Sequence, residues 1–239
     1  MLRIENLTKK FGTFTAVDNI NLEILNGDLY GFLGENGAGK TTTIKVITGL
    51  YSPTSGKVFI NNFNIQSDPV AAKSYIGYVP DQPFLYDKLT GREFLYFSGG
   101  LYNLTKKDIA DKIKEVVDLL QIGSWIDKKT EEYSQGMKQR ITIASALLHN
   151  PSLIILDEPM IGLDPQSAVI VKNLLRKKAS EGTAIFMSTH SLPVAEEVCN
   201  RIGIIKNGQM IFENNREALE ILKSNKNSNF ESLFLELTR

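Results

Sequence analysis

Residues 34–41 have the types and spacing of a phosphate-binding loop. They read GENGAGKT and match the pattern G-x-x-x-x-G-K-[ST] in full. Glycines at these places let successive backbone N–H groups converge on phosphate oxygens, and the N-terminus of a following helix adds partial positive charge. An apolar stretch, LYGFL, precedes the loop and a helical pattern follows it. This context favours a nucleotide site over a fortuitous glycine-rich turn.

Two side chains of this loop are suited to the triphosphate and its metal. Lys40 is placed to reach the β- and γ-phosphates, and the Thr41 hydroxyl is placed to ligate Mg²⁺. We therefore expect ATP and Mg²⁺ as the ligands. The residues predicted to bind the nucleotide here are Gly34, Asn36, Gly37, Ala38, Gly39, Lys40, Thr41 and Thr42.

A second chemical feature follows the apolar run Leu153–Leu156, which predicts a buried strand. The strand delivers Asp157 and Glu158 at its carboxyl end, where ligands gather in open α/β sheets. Asp157 suits the Mg²⁺ shell, directly or through water, and Glu158 is placed to polarise an attacking water as a general base. Many strands end in an acidic turn, so the pair becomes informative only together with the phosphate-binding loop.

Hydrophobic periodicity predicts the elements that position these residues. Strands alternate with helices, which indicates an α/β fold around a mostly parallel sheet. The first helix is predicted over Thr41–Gly49, and the helical region Leu85–Asn150 is interpreted as an insertion into that fold. The predicted strands are Leu2–Leu7, Ile20–Ile24, Asp28–Leu33, Gly56–Ile60, Tyr75–Val79, Leu153–Leu156 and Ala184–Ser188.

Within the insertion, Thr105 is predicted to cap a helix, with Asp108 three residues on. The apolar face of that helix comprises Ile109, Ile113, Val116, Val117 and Leu120.

The tail is predicted to have two parts, a polar linker at Lys223–Asn229 and a short amphipathic helix. Phe230, Leu233, Phe234 and Leu237 fall at i, i+3, i+4 and i+7. The stripe suits either a docking element or packing against the parent domain, and we favour packing because such stripes are usually core.

Composition restricts the function classes. Of 239 residues, 42% are hydrophobic and 23% charged, and Lys plus Arg equals Asp plus Glu at 27 each. No bulk electrostatic attraction to nucleic acid or anionic lipid is visible, so we expect no nucleic-acid partner. The single cysteine, Cys199, suits a reducing cytosol, and no apolar stretch approaches the roughly 20 residues that span a bilayer. We expect a cytoplasmic location, with any membrane role supplied by a partner.

Residues 133–140, YSQGMKQR, bring in a family resemblance. Ser134 can cap the helix that is predicted to run to His149, and that capped end offers N–H groups and a hydroxyl to an anion. The stretch resembles the signature of ABC transporter nucleotide-binding domains, usually Leu-Ser-Gly-Gly-Gln. The resemblance covers roughly residues 1–215, followed by a C-terminal helical tail over 216–239. It implies a P-loop NTPase (RecA-like) core with an N-terminal β subdomain and an inserted α-helical subdomain.

Further residues match the family in order along the chain. Phe11 lies where the family has an aromatic residue that stacks on adenine. Asp164, in the motif Gly162-Leu163-Asp164-Pro165, resembles the loop that joins the two active sites of a dimer. His190 follows a predicted strand and resembles the switch histidine that hydrogen-bonds the γ-phosphate. The resemblance also implies that Ser134 and Gly136 contact the nucleotide held by a second chain.

Three residues depart from the family pattern. The glutamine that usually senses Mg²⁺ falls at Asp81, with Gln82 one residue late, and we favour Asp81 as the oxygen ligand over a shifted loop that presents Gln82. Gln135 replaces the first glycine of the signature, which is unfavourable if that position needs a positive φ. Met160 replaces the usual Thr or Ser after Glu158-Pro159.

The resemblance implies an ATPase that energises transport through a separate integral membrane permease. It implies a head-to-tail homodimer, or a heterodimer with a related ATPase subunit, that lies on the inner face of the membrane. In this interpretation Lys40, Glu158 and His190 are the catalytic residues. Three stretches, residues 76–94, the motif at 158–165 and the closing FESLFLELT, resemble stand-alone subunits of ABC-2-type exporters. An ABC ATPase outside transport remains an alternative, as do a nucleotide-binding scaffold without turnover and a small-molecule kinase.

Overall fold

The structure, a computed structural model, describes residues 1–219, 221 and 230–238. The predicted linker at 223–229 lies outside these residues. The strands are β1 (Leu2–Phe11), β2 (Phe14–Ile24), β3 (Leu29–Leu33), β4 (Ser55–Ile60), β5 (Phe63–Asn64), β6 (Ile76–Val79), β7 (Leu153–Asp157), β8 (Ala184–Thr189), β9 (Arg201–Lys206) and β10 (Gln209–Asn215). The helices are α1 (Lys40–Ile47), α2 (Pro69–Lys73), α3 (Gly91–Leu101), α4 (Lys106–Leu120), α5 (Gln135–Leu147), α6 (Pro165–Ser180), α7 (Leu192–Val198) and a C-terminal helix (Phe230–Thr238).

The central sheet has six strands in the order β10-β9-β3-β8-β7-β6. Strand β9 and the strands that follow it in this order pair in parallel, and β10 adds an antiparallel edge. Every residue of β3, β7 and β8 is buried, because helices or the second sheet cover both faces. The predicted α/β architecture with a mostly parallel sheet is confirmed.

A smaller antiparallel sheet contains the N-terminal strands in the order β2-β1-β4-β5. Strands β1 and β2 form a hairpin in which Phe11 pairs with Phe14, so both strands are longer than predicted. Three register shifts interrupt the ladder between Ile4 and Lys10 and obscure the alternation of apolar and polar residues. The short strand β5 and the pair β9–β10 were not predicted.

Helices α3, α4 and α5 form the inserted helical subdomain, as predicted. Thr105 caps α4 by accepting a hydrogen bond of 3.2 Å from the backbone N–H of Asp108. The predicted apolar face is turned inward, with Ile109, Ile113, Val116 and Leu120 buried and Val117 partly buried. Helix α5 ends at Leu147, two residues before the predicted end at His149.

The C-terminal helix packs on the main core. Phe230, Leu233 and Phe234 are buried, and Leu237 packs against the same cluster. The preference for packing against the parent domain is therefore confirmed for the described tail residues, whereas the division of the chain at residue 215 stays a prediction. Within the described residues, no helix combines the length and the apolar content needed to cross a bilayer.

Replacing Phe230 with Ala tests whether this helix belongs to the folded unit. Phe230 is only 2% exposed, so the loss of its ring leaves a cavity. We expect unfolding free energy to fall by about 3–5 kcal/mol in urea denaturation. The matched control, Leu235→Ala on the same helix, removes a 49% exposed side chain and should change stability little. Equal, small effects of both substitutions would contradict integral packing.

Candidate nucleotide-binding site

The loop between β3 and α1 is shaped by glycines at two close approaches. Gly39 precedes α1 with a φ of 112°, a left-handed conformation that side chains rarely adopt. A Cβ there would lie 2.5 Å from the Ala16 carbonyl oxygen, and one at Gly34 would lie 2.5 Å from that of Ile205. The loop therefore folds into space where only glycine fits, and its N–H groups lie at the beginning of α1.

Lys40 lies at the centre of this loop with its ammonium group turned inward. Its Nζ donates hydrogen bonds to the carbonyl oxygens of Gly34 at 2.7 Å and Glu35 at 3.1 Å. Burial lowers the pKa of Lys40, while the nearby carboxylates of Glu158 and Asp157 act in the opposite direction. The side chain thus provides an anchored donor beneath the place where phosphate oxygens would converge.

The acid Asp157 ends β7 and is fully buried. Its Oδ1 accepts a hydrogen bond of 2.5 Å from the Ser188 hydroxyl, whereas Oδ2 is buried and without a hydrogen-bond partner among the described residues. Burial raises the pKa of Asp157, Ser188 and Thr41 lower it, and the charges of Asp81 and Glu158 raise it. A carboxylate oxygen in this position requires a cationic or donor partner.

Glu158 follows in a left-handed backbone conformation, with a φ of 49°. Its Oε1 lies 2.9 Å from Nδ1 of His190 and 3.8 Å from Nζ of Lys40. Its backbone N–H donates to both the carbonyl and the hydroxyl oxygen of Ser188 at 3.2 Å. Three predicted catalytic side chains, Lys40, Glu158 and His190, are therefore brought together.

A cavity of about 590 Å³ opens above the loop. Its lining combines backbone N–H groups, the buried ammonium group of Lys40 and the carboxyl groups of Asp81 and Glu158, which suits a polyphosphate with a metal. The predicted site residues that line it are Asn36, Gly37, Gly39, Lys40, Thr41, Thr42, Asp81, Gln82, Glu158 and His190.

Three of the residues predicted to contact the nucleotide form a cluster apart from the cavity. Ser134 caps α5 by accepting from the Met137 N–H at 3.3 Å. Asp164 caps α6 and accepts from the N–H of Ser167 at 2.9 Å. A Cβ on Gly136 would lie 3.3 Å from Asp164 Oδ2, so the two helix N-termini adjoin. Ser134, Gly136 and Asp164 are not among the described residues that line the cavity.

The aromatic residue at the cavity is not the predicted one. Phe14 lines the cavity, whereas Phe11 packs edge-on against Tyr51 at 5.5 Å and lies under Lys9. Both phenylalanines lie at the tip of the β1–β2 hairpin, and Phe11 is 44% exposed. The role of Phe11 in adenine stacking stays a prediction. A second aromatic residue three positions along the same hairpin was the signal for Phe14.

The three departures from the family pattern have distinct outcomes. Asp81 and Gln82 both line the cavity, and Asp81 is close enough to Asp157 to raise its pKa. Gln135 begins α5 and is not among the residues with positive φ, so it imposes no backbone strain. Met160 is partly buried against the main core.

The residues present fit a magnesium ion shared with phosphate. The described residues contain no group of three or more His, Cys, Asp or Glu side chains that could hold a metal by itself. Mg²⁺ in nucleotide sites is commonly bound through one or two carboxylates, substrate phosphates and water. The unpartnered Oδ2 of Asp157 and the adjoining Thr41 hydroxyl supply the protein share of such a shell.

The sequence interpretation gave no role to Ser188, which contacts both acids. Its signal is a polar residue in the buried strand AIFMST, where the neighbouring positions are mostly apolar. Gln135 and Ile161 also line the cavity and had not been predicted as site residues.

Comparisons with known proteins agree with this geometry. Residues 17–161, more than half of the chain, match the family model described as ABC transporter. The linearmycin resistance ATP-binding protein LnrL of Bacillus subtilis (strain 168) is 38% identical over 211 residues, covering 88% of this chain and 68% of that protein. The bacitracin transport ATP-binding protein BcrA of Bacillus licheniformis is 38% identical over 236 residues, covering 95% of this chain and 76% of that protein.

A solved structure extends the comparison to a dimer after hydrolysis. The dimeric post-hydrolysis state of the ATP-binding cassette MJ0796 bound to ADP and Pi has a TM-score of 0.82 and 28% sequence identity. The match covers 90% of this chain and 99% of that one. Fold, phosphate loop and relatives agree, and the chain belongs to the ABC transporter family as an ATP-binding subunit that hydrolyses ATP.

Proposed function

We propose that two copies of this chain, or one copy and a related subunit, close head to tail over two ATP molecules and thereby energise export through a separate membrane permease. The observation that carries this proposal is the cavity in which Lys40, Glu158 and His190 meet above a phosphate-binding loop. The dimeric neighbour bound to ADP and Pi supports a dimer that holds nucleotide.

The second chain has a specific role because Ser134 and Gly136 do not line the cavity of their own chain, although Gln135 between them does. Ser134 and Gly136 lie at the N-terminus of α5, where free N–H groups and helix polarity favour an anion. Head-to-tail closure would bring them to the γ-phosphate held by the partner's loop. Asp164 adjoins Gly136 and would couple the two nucleotide sites of the dimer to each other.

Chemistry within the closed site depends on placement and electrostatics. Glu158 would orient and deprotonate the attacking water, while His190 and Lys40 stabilise charge on the terminal phosphate. Bound Mg²⁺, held by Thr41 and Asp157 with Asp81 or Gln82 nearby, would neutralise phosphate charge. The 2.9 Å contact between Glu158 and His190 holds the base in place until nucleotide arrives.

We propose an aromatic patch, formed by Phe84, Tyr86 and Phe97, as the docking surface for the permease. The ring centroids of Phe84 and Tyr86 lie 5.5 Å apart and those of Tyr86 and Phe97 lie 5.4 Å apart, both edge to face. The three side chains are 73%, 47% and 45% exposed. Interfaces are enriched in such aromatic anchors, and the adjoining Gln82 lines the nucleotide cavity. A shift of Gln82 on nucleotide binding would therefore be transmitted to the aromatic patch and through it to the permease.

The names of two relatives favour export as the direction of transport. The names of LnrL and BcrA describe antibiotic resistance and antibiotic transport, which supports export. The peripheral location on the inner membrane face is part of this proposal.

Substitution of two patch residues tests both the function and the surface. We expect the wild-type chain to co-purify with a multi-span membrane protein from detergent-solubilised native membranes, and that complex to show ATP-dependent transport in vesicles. The double variant F84S/F97S should bind this partner about 30-fold more weakly, since interface hot spots contribute ~2 kcal/mol or more.

The matched control is Phe63→Ser, which changes a 37% exposed aromatic side chain on β5 and should leave the complex intact. Thermal unfolding of each variant checks that the fold survives. Retention of the partner by F84S/F97S would reject the patch. Association with ribosomes or nucleic acid, and with no membrane protein, would reject the transport function itself.

A further inference from the structure

Ser188 occupies an unusual place for a hydroxyl group. It lies on β8 directly opposite Asp157 in the parallel ladder with β7, and it is fully buried. Buried polar groups of this kind are costly unless they are hydrogen-bonded. Ser188 has partners on both sides, and both belong to the proposed hydrolytic site.

The Ser188 hydroxyl group acts once as a hydrogen-bond donor and once as an acceptor. It donates to Asp157 Oδ1 at 2.5 Å and accepts from the backbone N–H of Glu158 at 3.2 Å. The first contact fixes the rotation of the Asp157 carboxylate and leaves Oδ2 as its only unpartnered oxygen. The second contact, together with that of the Ser188 carbonyl oxygen to the same N–H at 3.2 Å, supports the left-handed backbone of Glu158, a conformation that is uncommon outside glycine. Loss of the hydroxyl would therefore free the Asp157 carboxylate and leave the Glu158 N–H with the Ser188 carbonyl oxygen as its remaining partner.

We propose that Ser188 is a positioning residue that aims Asp157 Oδ2 at the Mg²⁺ of the bound nucleotide and sets the backbone of Glu158. This inference rests on the proposed hydrolytic function and adds a residue to it. Neither Ser188 nor Asp157 lines the cavity, whereas Thr41 and Glu158 beside them do, so Ser188 acts from behind the site and not on the nucleotide itself.

A structural role alone predicts a different outcome. A buried hydroxyl that only satisfied the interior would affect stability without changing how strongly Mg²⁺ enhances nucleotide binding. Thr130 provides that comparison. It is fully buried, and its hydroxyl donates to the Tyr86 carbonyl oxygen at 2.9 Å, within the helical subdomain.

The test compares ADP binding by calorimetry in excess Mg²⁺ and in EDTA. For wild type, the ratio of the two affinities measures the contribution of the metal. In Ser188→Ala we expect this ratio to fall by about 10–100-fold, the usual loss when a hydrogen-bond partner of a metal ligand is removed, with ADP affinity in EDTA nearly unchanged. Ser188→Cys keeps a weak donor of similar size, so its affinity ratio should lie between those of wild type and Ser188→Ala. Thr130→Val should keep the wild-type ratio.

Each outcome has a definite meaning. An unchanged ratio in folded Ser188→Ala or Ser188→Cys would overturn the inference, and thermal unfolding establishes which variants are folded. A wild-type chain that binds ADP equally with and without Mg²⁺ would instead reject the proposed metal site. A double-mutant cycle with Asp157→Asn completes the test, because the two substitutions should be strongly non-additive on the ratio if Ser188 acts through Asp157. Additive effects would also overturn it.

Discussion

Replacing Glu158 with Gln is expected to abolish most ATP turnover while leaving ATP binding intact. The amide keeps the size and much of the hydrogen bonding of the carboxylate, but it cannot accept the proton of the attacking water. Loss of a general base slows the reaction by about 100- to 10,000-fold. Phosphate release under saturating ATP measures turnover, and equilibrium binding of ATP measures affinity.

The control for this change is Glu181→Gln, which neutralises a surface acid paired with Lys178 and Lys177. It should retain wild-type turnover because exposed ion pairs contribute little to stability and this one lies outside the cavity. Turnover near the wild-type rate in Glu158→Gln would remove Glu158 from its role as base.

Lys40→Ala is expected to weaken ATP binding itself. The ammonium group is only 6% exposed and is already held by two loop carbonyl groups, so its hydrogen bonds to phosphate would form with little loss of side-chain freedom. Each hydrogen bond to a charged group contributes ~1.5–3 kcal/mol, which corresponds to about 10- to 100-fold in affinity. Calorimetric titration with ATP measures this loss.

Lys45→Ala is the matched control, since Lys45 lies five residues further along α1 and contacts the ring of Tyr51. It should bind ATP as wild type does. Equal ATP affinity in wild type and Lys40→Ala would count against the assignment of the loop as the triphosphate site.

The sequence was most informative where composition and backbone geometry depend on the same few residues. The glycines of the loop are predictable because only glycine tolerates a φ of 112° at Gly39 or a carbonyl oxygen 2.5 Å from a Cβ at Gly34. The strand before Asp157 is predictable because a parallel strand covered on both faces must be apolar throughout.

Other features depend on tertiary contacts that no local pattern encodes. Ser188 became a partner of Asp157 only through the pairing of β7 with β8. The choice between Phe11 and Phe14 at the cavity depends on how the hairpin tip is turned. The predicted length of β2 was too short because bulges disrupt the two-residue period of its side chains and Asn19 adopts a positive φ within it. These are places where packing overrides sequence periodicity.

The central claim is that the loop before Thr41 binds a triphosphate and that the Ser134 helix of a second chain completes the binding site around the terminal phosphate. The molar mass of Glu158→Gln in solution, measured by sedimentation equilibrium with saturating ATP and then with ADP, tests it most directly. We predict twice the 26.7 kDa mass of one chain with ATP and a single chain with ADP. A single chain at saturating ATP would contradict the account.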